Sequence, residues 1–219
     1  KQTGDEAQLL AKLQFPFFID RNRSRAAKKL QEAYKCDVII SDDGLQHYAM
    51  GREIEIAVID GIRRLGNGLV FPAGPLREPK SRLKEVDFIV NNGGPTESNE
   101  ILMTLKPGKF VHLKSGKQYS IDNWPMHKQV HGVAGVGNPN RFFDLLSQLG
   151  FEFDKSPFPD HHKYNKRDLY YLDHLPILMT EKDASKCMHF DNSKIWYLSI
   201  EASIESQFID RLEEKLNDR

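Results

Sequence analysis

Apolar positions fall into short runs, and polar, Gly- and Pro-rich stretches separate them. Runs at 15–19, 37–41, 53–60, 88–90, 130–136, 151–153, 177–180 and 195–199 have the length and bounding residues of strands. Pro16 confines the first of these to a sheet edge or a strand start. Residues 25–34 repeat at helical spacing through Ala26, Ala27, Leu30, Ala33 and Tyr34. Residues 139–149, with Pro139 in the first turn, 165–172 and 205–216 also predict helices, and 7–14, 81–86 and 183–188 predict shorter ones. Helix and strand alternate, which predicts an α/β protein with a mostly parallel sheet. Two short strands, 101–105 and 109–113, flank Pro107-Gly108 and predict a β-hairpin. The hairpin lies in a linker at 96–125, between a domain at 1–95 and a smaller α/β domain at 126–219.

One run organises the rest. Val38-Ile39-Ile40 predicts a buried, central parallel strand, and it runs into Ser41-Asp42-Asp43-Gly44-Leu45-Gln46-His47. Ligand sites in open α/β sheets lie beyond the carboxyl ends of strands. Two carboxylates placed there favour a positive partner, and a hard cation such as Mg²⁺ carrying phosphates fits them. An ordinary Asp-Asp-Gly turn fits the same residues. Composition narrows the class: Lys+Arg and Asp+Glu number 31 each, so net charge gives no support for nonspecific nucleic-acid binding. Cys36 and Cys187 form no CxxC, which argues against a cysteine zinc site or a disulfide framework. The chain opens on Lys1 and contains no Gly-x-x-x-x-Gly-Lys-Ser/Thr loop, so we expect it to start mid-protein.

Four further clusters carry candidate chemistry. Asp5-Glu6 can hold metal or take a proton, or form a solvated turn. The loop at 61–82 is too long to be a plain connection, and within it Arg77 offers a fork for phosphate beside Glu78, or the two pair with each other. Asp160-His161-His162 follows a strand, where a carboxylate can tune an imidazole or cap the next helix. Thr180-Glu181-Lys182-Asp183 presents Lys182 at a strand-to-helix junction, or is a capping box. Together these read as an α/β protein handling a phosphorylated ligand with a divalent metal. A metal-dependent phosphohydrolase using Asp42, Asp43, His47, Asp160, His161 and His162, or a non-catalytic binding fragment, remains an alternative.

The order Gly4-Asp5-Glu6, Arg23-Ser24, Ser41-Asp-Asp-Gly-Leu-Gln-His47, Arg52-x-x-Glu55-Ile-x-Val-Ile-Asp60, Gly66-Asn-Gly68, Pro72-Ala-Gly-Pro-Leu-Arg-Glu78, Arg82-Leu-x-x-Val-Asp87, Asp160-His161 and Met179-Thr-Glu-Lys-Asp183 resembles the tetraacyldisaccharide 4'-kinase family of lipid A biosynthesis. The resemblance implies a P-loop-kinase-like sheet, N-terminally truncated here, with the smaller α/β domain joined by the hairpin. It implies transfer of the ATP γ-phosphate, with Mg²⁺, to the 4'-hydroxyl of a tetraacyldisaccharide 1-phosphate glycolipid. It implies a peripheral protein at the cytoplasmic face of the inner membrane; we expect a monomer that binds no nucleic acid. By motif position, Asp5 is the base and His161 its partner, Asp42 and Asp43 are the Walker-B acids near Mg²⁺, and Glu6 and Glu78 belong to the nucleotide site. Arg77 and Lys182 are placed with them, and His47 is a motif member without an assigned role. Because the phosphate loop belongs before Lys1, the resemblance implies that these 219 residues alone are inactive.

Overall fold

The computed structural model describes residues 15–170 and 174–218. The chain divides into two compact units, residues 20–106 with 202–219, and residues 107–201 with the segment up to Ile19.

In the first unit, helix α1 (Arg23–Ala33) is capped by Asn22, whose side chain accepts from the Arg25 N–H at 2.9 Å. Strands β1 (Ile56–Asp60) and β2 (Phe88–Asn92) pair in parallel, and β2 pairs in parallel with the start of β3 (Glu100–His112). A 3₁₀ turn at Lys80–Lys84 stands where residues 81–86 predict a helix. Helix α5 (Ser206–Asn217) lays Phe208 edge-on against Phe88, and the small core is completed by Val90 and Ile101. The helix predicted to close the C-terminal domain thus packs in the first unit.

In the second unit, β5 (Gln129–Ala134) is flanked in parallel by β6 (Glu152–Pro157) and β7 (Ile177–Thr180), and β7 pairs in parallel with β8 (Ile195–Ile204). Helix α2 (Pro139–Gln148) follows β5, α3 (Lys166–Tyr170) follows β6, and α4 (Glu181–Lys186) follows β7. Phe110, Val130, Phe143, Leu146, Leu178 and Leu198 fill one side of this core, and Val133, Leu169, Ile177, Met179 and Ile195 the other. The expectation of a mostly parallel α/β sheet holds; β3 pairs antiparallel with β4 (Gln118–Ser120), and it also neighbours β8, against which it runs in the opposite direction, Leu113 meeting Ile195 and Lys109 meeting Ser199.

Three expectations fail. Pro107-Gly108 makes no hairpin: β3 runs straight through it. Pro lacks an N–H for the ladder, and Gly108 permits a close approach, since a Cβ there would lie 2.5 Å from Ser199 Oγ. The Lys109 N–H donates to that hydroxyl at 2.7 Å. The turn comes later, where Gly116 adopts a φ of 69°. Residues 37–41 form no strand, and Val38 and Ile40 lie 51% and 92% exposed. An apolar run specifies a strand only where neighbours accept its backbone hydrogen bonds, and no described strand pairs with it. Residues 15–19 are likewise irregular, with Phe15, Phe17, Phe18 and Ile19 exposed.

Candidate active site

Residues 41–50 are a succession of tight turns. His47 N–H donates to Gly44 O and Met50 N–H to His47 O, both at 3.0 Å. Asp43 adopts a φ of 48°, the left-handed region that Asp tolerates better than most residues. Its exposed carboxylate accepts a short, charge-assisted hydrogen bond from Arg77. Arg77 also reaches Gln46 Oε1 at 3.3 Å, and Gln46 Nε2 donates to Glu78 Oε1 at 2.6 Å. The Tyr48 hydroxyl donates to the other Glu78 oxygen. These bonds from Tyr48 and Gln46, which outweigh partial burial, hold the Glu78 carboxyl below the usual carboxylate range, helped by the charge of Arg82.

Behind this row stands a second. Arg82 Nη2 donates to both Glu55 oxygens at 2.6 Å, and Arg52 pairs with the same carboxylate. Arg52 lies over the Tyr48 ring at 5.1 Å and donates to Gly44 O at 3.0 Å. Three motifs far apart in sequence therefore close into one polar network: the turns at 41–48, the Arg52–Glu55 pair that leads into β1, and the loop ending at Arg77-Glu78. Sequence reading missed Tyr48, and it held Arg52, Glu55 and Arg82 only as motif members. Their signal is the four-residue shell of Arg, Glu and Tyr needed to fix Glu78.

The loop presents Arg77 and Glu78 by its own bonding. Asp60 Oδ1 accepts from Ile62 and Arg63 N–H groups at 3.0 and 2.9 Å. Asn67 donates to Ala73 O at 2.9 Å and accepts from the Leu69 N–H at 3.1 Å. Gly74 is required there, because a Cβ would fall 2.2 Å from Asn67 Oδ1. Asp42 is exposed, and no hydrogen bond or ion pair engages its carboxylate among the described residues. His47 lines an open depression of about 370 Å³ with Arg21, Arg23, Ser24 and Met50 at the start of α1. The Arg23-Ser24 motif is explained there, as Ser24 Oγ donates to Ala49 O at 3.3 Å.

In the second unit, three loops meet beyond the carboxyl ends of β5, β6 and β7. His161 has a φ of 58°, its N–H donates to Asp160 Oδ1 at 2.9 Å, and its ring Nε2 stands 3.8 Å from Asp160 Oδ2. Lys182 Nζ donates to Asp160 at 3.3 Å. Burial works to raise the Asp160 pKa, yet the Lys182 hydrogen bond and charge hold it below the ordinary value. The carboxylate-beside-imidazole pair therefore exists, with Lys182 as its cation. The capping reading of Thr180–Asp183 is also correct: Thr180 Oγ1 accepts from the Asp183 N–H at 3.1 Å. His162 has a different task. Its Nε2 lies 2.9 Å from Asp168, and its ring stacks on Phe158. Asp183, fully buried, pairs with Lys186 at 3.0 Å and accepts from Gly135 N–H at 2.8 Å. Burial and the nearby Asp183 charge push the Cys187 thiol up to about 12. Asp5 and Glu6 lie outside the described residues. Among the described residues no group of three His, Cys, Asp or Glu is placed to hold a metal.

The model of one protein family, tetraacyldisaccharide-1-P 4'-kinase, matches residues 1–217. A tetraacyldisaccharide 4'-kinase of Ruthia magnifica is 47% identical over 216 residues, covering 98% of this chain and 68% of the relative. One of Legionella pneumophila strain Corby is 48% identical over 206 residues, covering 94% and 62%. The chain thus spans roughly two thirds of the length of the curated relatives it matches. A crystal structure titled as the "apo" form of LpxK from Aquifex aeolicus in complex with ATP shares the fold, with a TM-score of 0.61 at 19% identity over 80% of this chain and 55% of that one. The ordered motifs from Asp42-Asp43 through Arg77-Glu78 to Asp160-His161 and Lys182 thus lie in a chain that belongs to the tetraacyldisaccharide-1-P 4'-kinase family.

Proposed function

We propose that the full-length protein transfers the γ-phosphate of ATP to the 4'-hydroxyl of a tetraacyldisaccharide 1-phosphate, a lipid A precursor, working as a peripheral monomer at the cytoplasmic face of the inner membrane. The relatives' name supports the reaction. The observation that carries the reading is the Asp43–Arg77–Gln46–Glu78 network, which binds two distant motifs into one polar surface.

The chemistry of that surface suits phosphoryl transfer. Arg77 is an exposed fork that can move from Asp43 to phosphate oxygens, and Glu78 stays ionised beside it and keeps Gln46 aligned. Asp42, unengaged, and Asp43, shared with Arg77, fit a hard cation that retains waters and phosphate oxygens. Mg²⁺ bound there would neutralise charge developing on the transferred phosphoryl group. Asp5 would take the proton of the sugar hydroxyl as the O–P bond forms, with His161 as its partner. Lys182 keeps Asp160 ionised, and Asp160 in turn orients His161. The phosphohydrolase alternative lacks support, because His162 is committed to Asp168 and no three-ligand group is assembled among the described residues.

Purified full-length protein given ATP and the tetraacyldisaccharide 1-phosphate should yield the 4'-phosphorylated lipid, read by mass spectrometry. Release of phosphate to water with no lipid product overturns the kinase reading.

A further inference from the structure

His161 sits in a backbone conformation that residues other than glycine seldom adopt. Residues 159–162 close a turn, with the His162 N–H donating to Pro159 O at 3.1 Å. His161 is the third residue of that turn, and its φ is 58°. A positive φ at this position favours glycine or asparagine, so a histidine persists there only where its surroundings hold it. Before the turn, Phe158 N–H donates to Ala134 O at 2.7 Å. Within it, Asp160 accepts from the His161 N–H and from Lys182. After it, the hold falls to the neighbouring histidine.

The His162 ring ties the two ends of the loop together. Its Nε2 lies 2.9 Å from Asp168 Oδ2 on α3, and the same oxygen accepts from the Asn165 N–H at 2.9 Å. Burial works to raise the Asp168 pKa, yet the bonds from Asn165 and His162 hold it below the ordinary value. An ionised carboxylate only accepts, so Nε2 carries a proton whether the ring is neutral or charged. The ring stacks on Phe158 with centroids 4.6 Å apart, and Tyr164 meets it nearly at right angles at 4.9 Å. Tyr164 and Leu169 are buried in the core, so the ring is anchored to packed structure. The His161 side chain, in contrast, is 64% exposed, and an exposed ring is aimed chiefly by its backbone.

We propose that His162 is a positioning residue: its bond to Asp168 holds His161 in the left-handed turn and so fixes where the His161 ring points. The purpose of this hold rests on the reading of His161 as the partner of the base, but the hold itself is tested without it.

Two variants of the full-length protein separate the bond from the ring. His162→Phe keeps a ring for Phe158 and Tyr164 and loses the donor. His162→Gln keeps an N–H at the Nε2 position and loses the ring. The Cα and Cβ chemical shifts of ¹³C-labelled His161, assigned by their loss in His161→Ala, report its backbone. They should match wild type in His162→Gln and move towards extended values in His162→Phe. His162→Asn, too short to reach Asp168, should behave like His162→Phe and replaces it should His162→Phe fail to fold. Shifts unchanged in every variant, or moved alike in all, overturn the proposal whatever the activity.

Kinetics test the purpose. The kcat for transfer to the glycolipid should fall about tenfold in His162→Phe with KM for ATP unchanged, and stay within about threefold of wild type in His162→Gln. In a His161→Ala background His162→Phe should cost nothing further, since a residue that acts through His161 has nothing left to act through. A further loss there overturns the positioning role. If His161→Ala alone leaves kcat unchanged while the shifts move as expected, the hold on His161 stands and the base-partner reading fails.

Discussion

The two units hold their carboxylates in opposite ways. In the first, Asp43, Glu55 and Glu78 sit at or near the surface, and arginine, tyrosine and glutamine side chains fix them from the side. In the second, Asp183 is fully buried and is neutralised by Lys186, whose side chain is only 7% exposed. Exposed pairs contribute about 0–1 kcal/mol each, because water competes for both partners. A buried pair contributes little net, yet losing one partner strands the other charge, at about 3–5 kcal/mol. The surface network therefore governs position and chemistry, and the buried pair governs whether the second unit folds. On the proposed reading Arg77 would have to release Asp43 to meet phosphate, which an exposed pair permits.

The sharpest way to break the contrast is Asp183→Ala. It removes the acceptor for Gly135 N–H and Thr180 Oγ1 as well as the partner of Lys186. Denaturant unfolding should show a loss of about 3–5 kcal/mol. A loss below about 1 kcal/mol would mean that the pair is hydrated and the contrast is false. Arg77→Ala should do the reverse. Its side chain is 64% exposed, so stability should change by less than about 0.5 kcal/mol. Lipid phosphorylation should nonetheless fall by about 10²-fold or more, as for the removal of a preorganised donor to a phosphoryl group. Retained kcat would remove Arg77 from the site.

The same contrast explains what could be read from sequence. In the second unit Ile177–Thr180, Pro139–Gln148 and the strand starting at Ile195 appear where the apolar pattern puts them, because their apolar residues pack into that unit's own core. In the first, residues 37–41 carry an equally clear apolar run and form no described strand, since periodicity reports what a segment would bury and not whether neighbours are there to bury it. Pro107-Gly108 misled for another reason: a glycine also serves inside a continuous strand where another element comes close, here Ser199. Asp43 with Arg77, and Asp160 with His161 and Lys182, are contacts between residues that motif order had already singled out. Tyr48 was not, because a single tyrosine becomes informative only when Glu78 is seen on its hydroxyl.

Between the two extremes lies Glu100, whose side chain is 3% exposed and takes two bonds from Arg64 and one from Asn91. Arg64, ahead of the other donors, lowers the Glu100 carboxyl to about 2. Its folded pKa is depressed, so its contribution is complete above the unfolded value of 4.5 and is lost as pH falls towards 2. Glu100→Gln should destabilise by about 2 kcal/mol at neutral pH and flatten the acid limb of the stability profile between about pH 4.5 and pH 2. If the acid limb keeps its slope, Arg64 is not holding an ionised Glu100.

The smallest effect comes from a buried polar group with little to hold it. His131 on β5 is 4% exposed, and neither ring nitrogen has a hydrogen-bond partner among the described residues. Burial first, and His174 second, depress its pKa; Asp154, 3.9 Å away on β6, pulls the other way. The folded chain therefore resists a proton that the unfolded chain binds near 6.5, and stability should fall as pH drops through that value. His131→Leu removes both the resisted proton and the unpaired nitrogens, so it should lie within about 1 kcal/mol of wild type at pH near 7.5. Its advantage should grow by pH near 5.5, because the variant no longer loses this term. Unfolding by denaturant at those two pH values measures the difference directly. Equal losses in the two proteins would show that His131 takes up its proton in the folded state, with Asp154 as its partner, and that the second unit can stabilise a charge there as it does at Asp183.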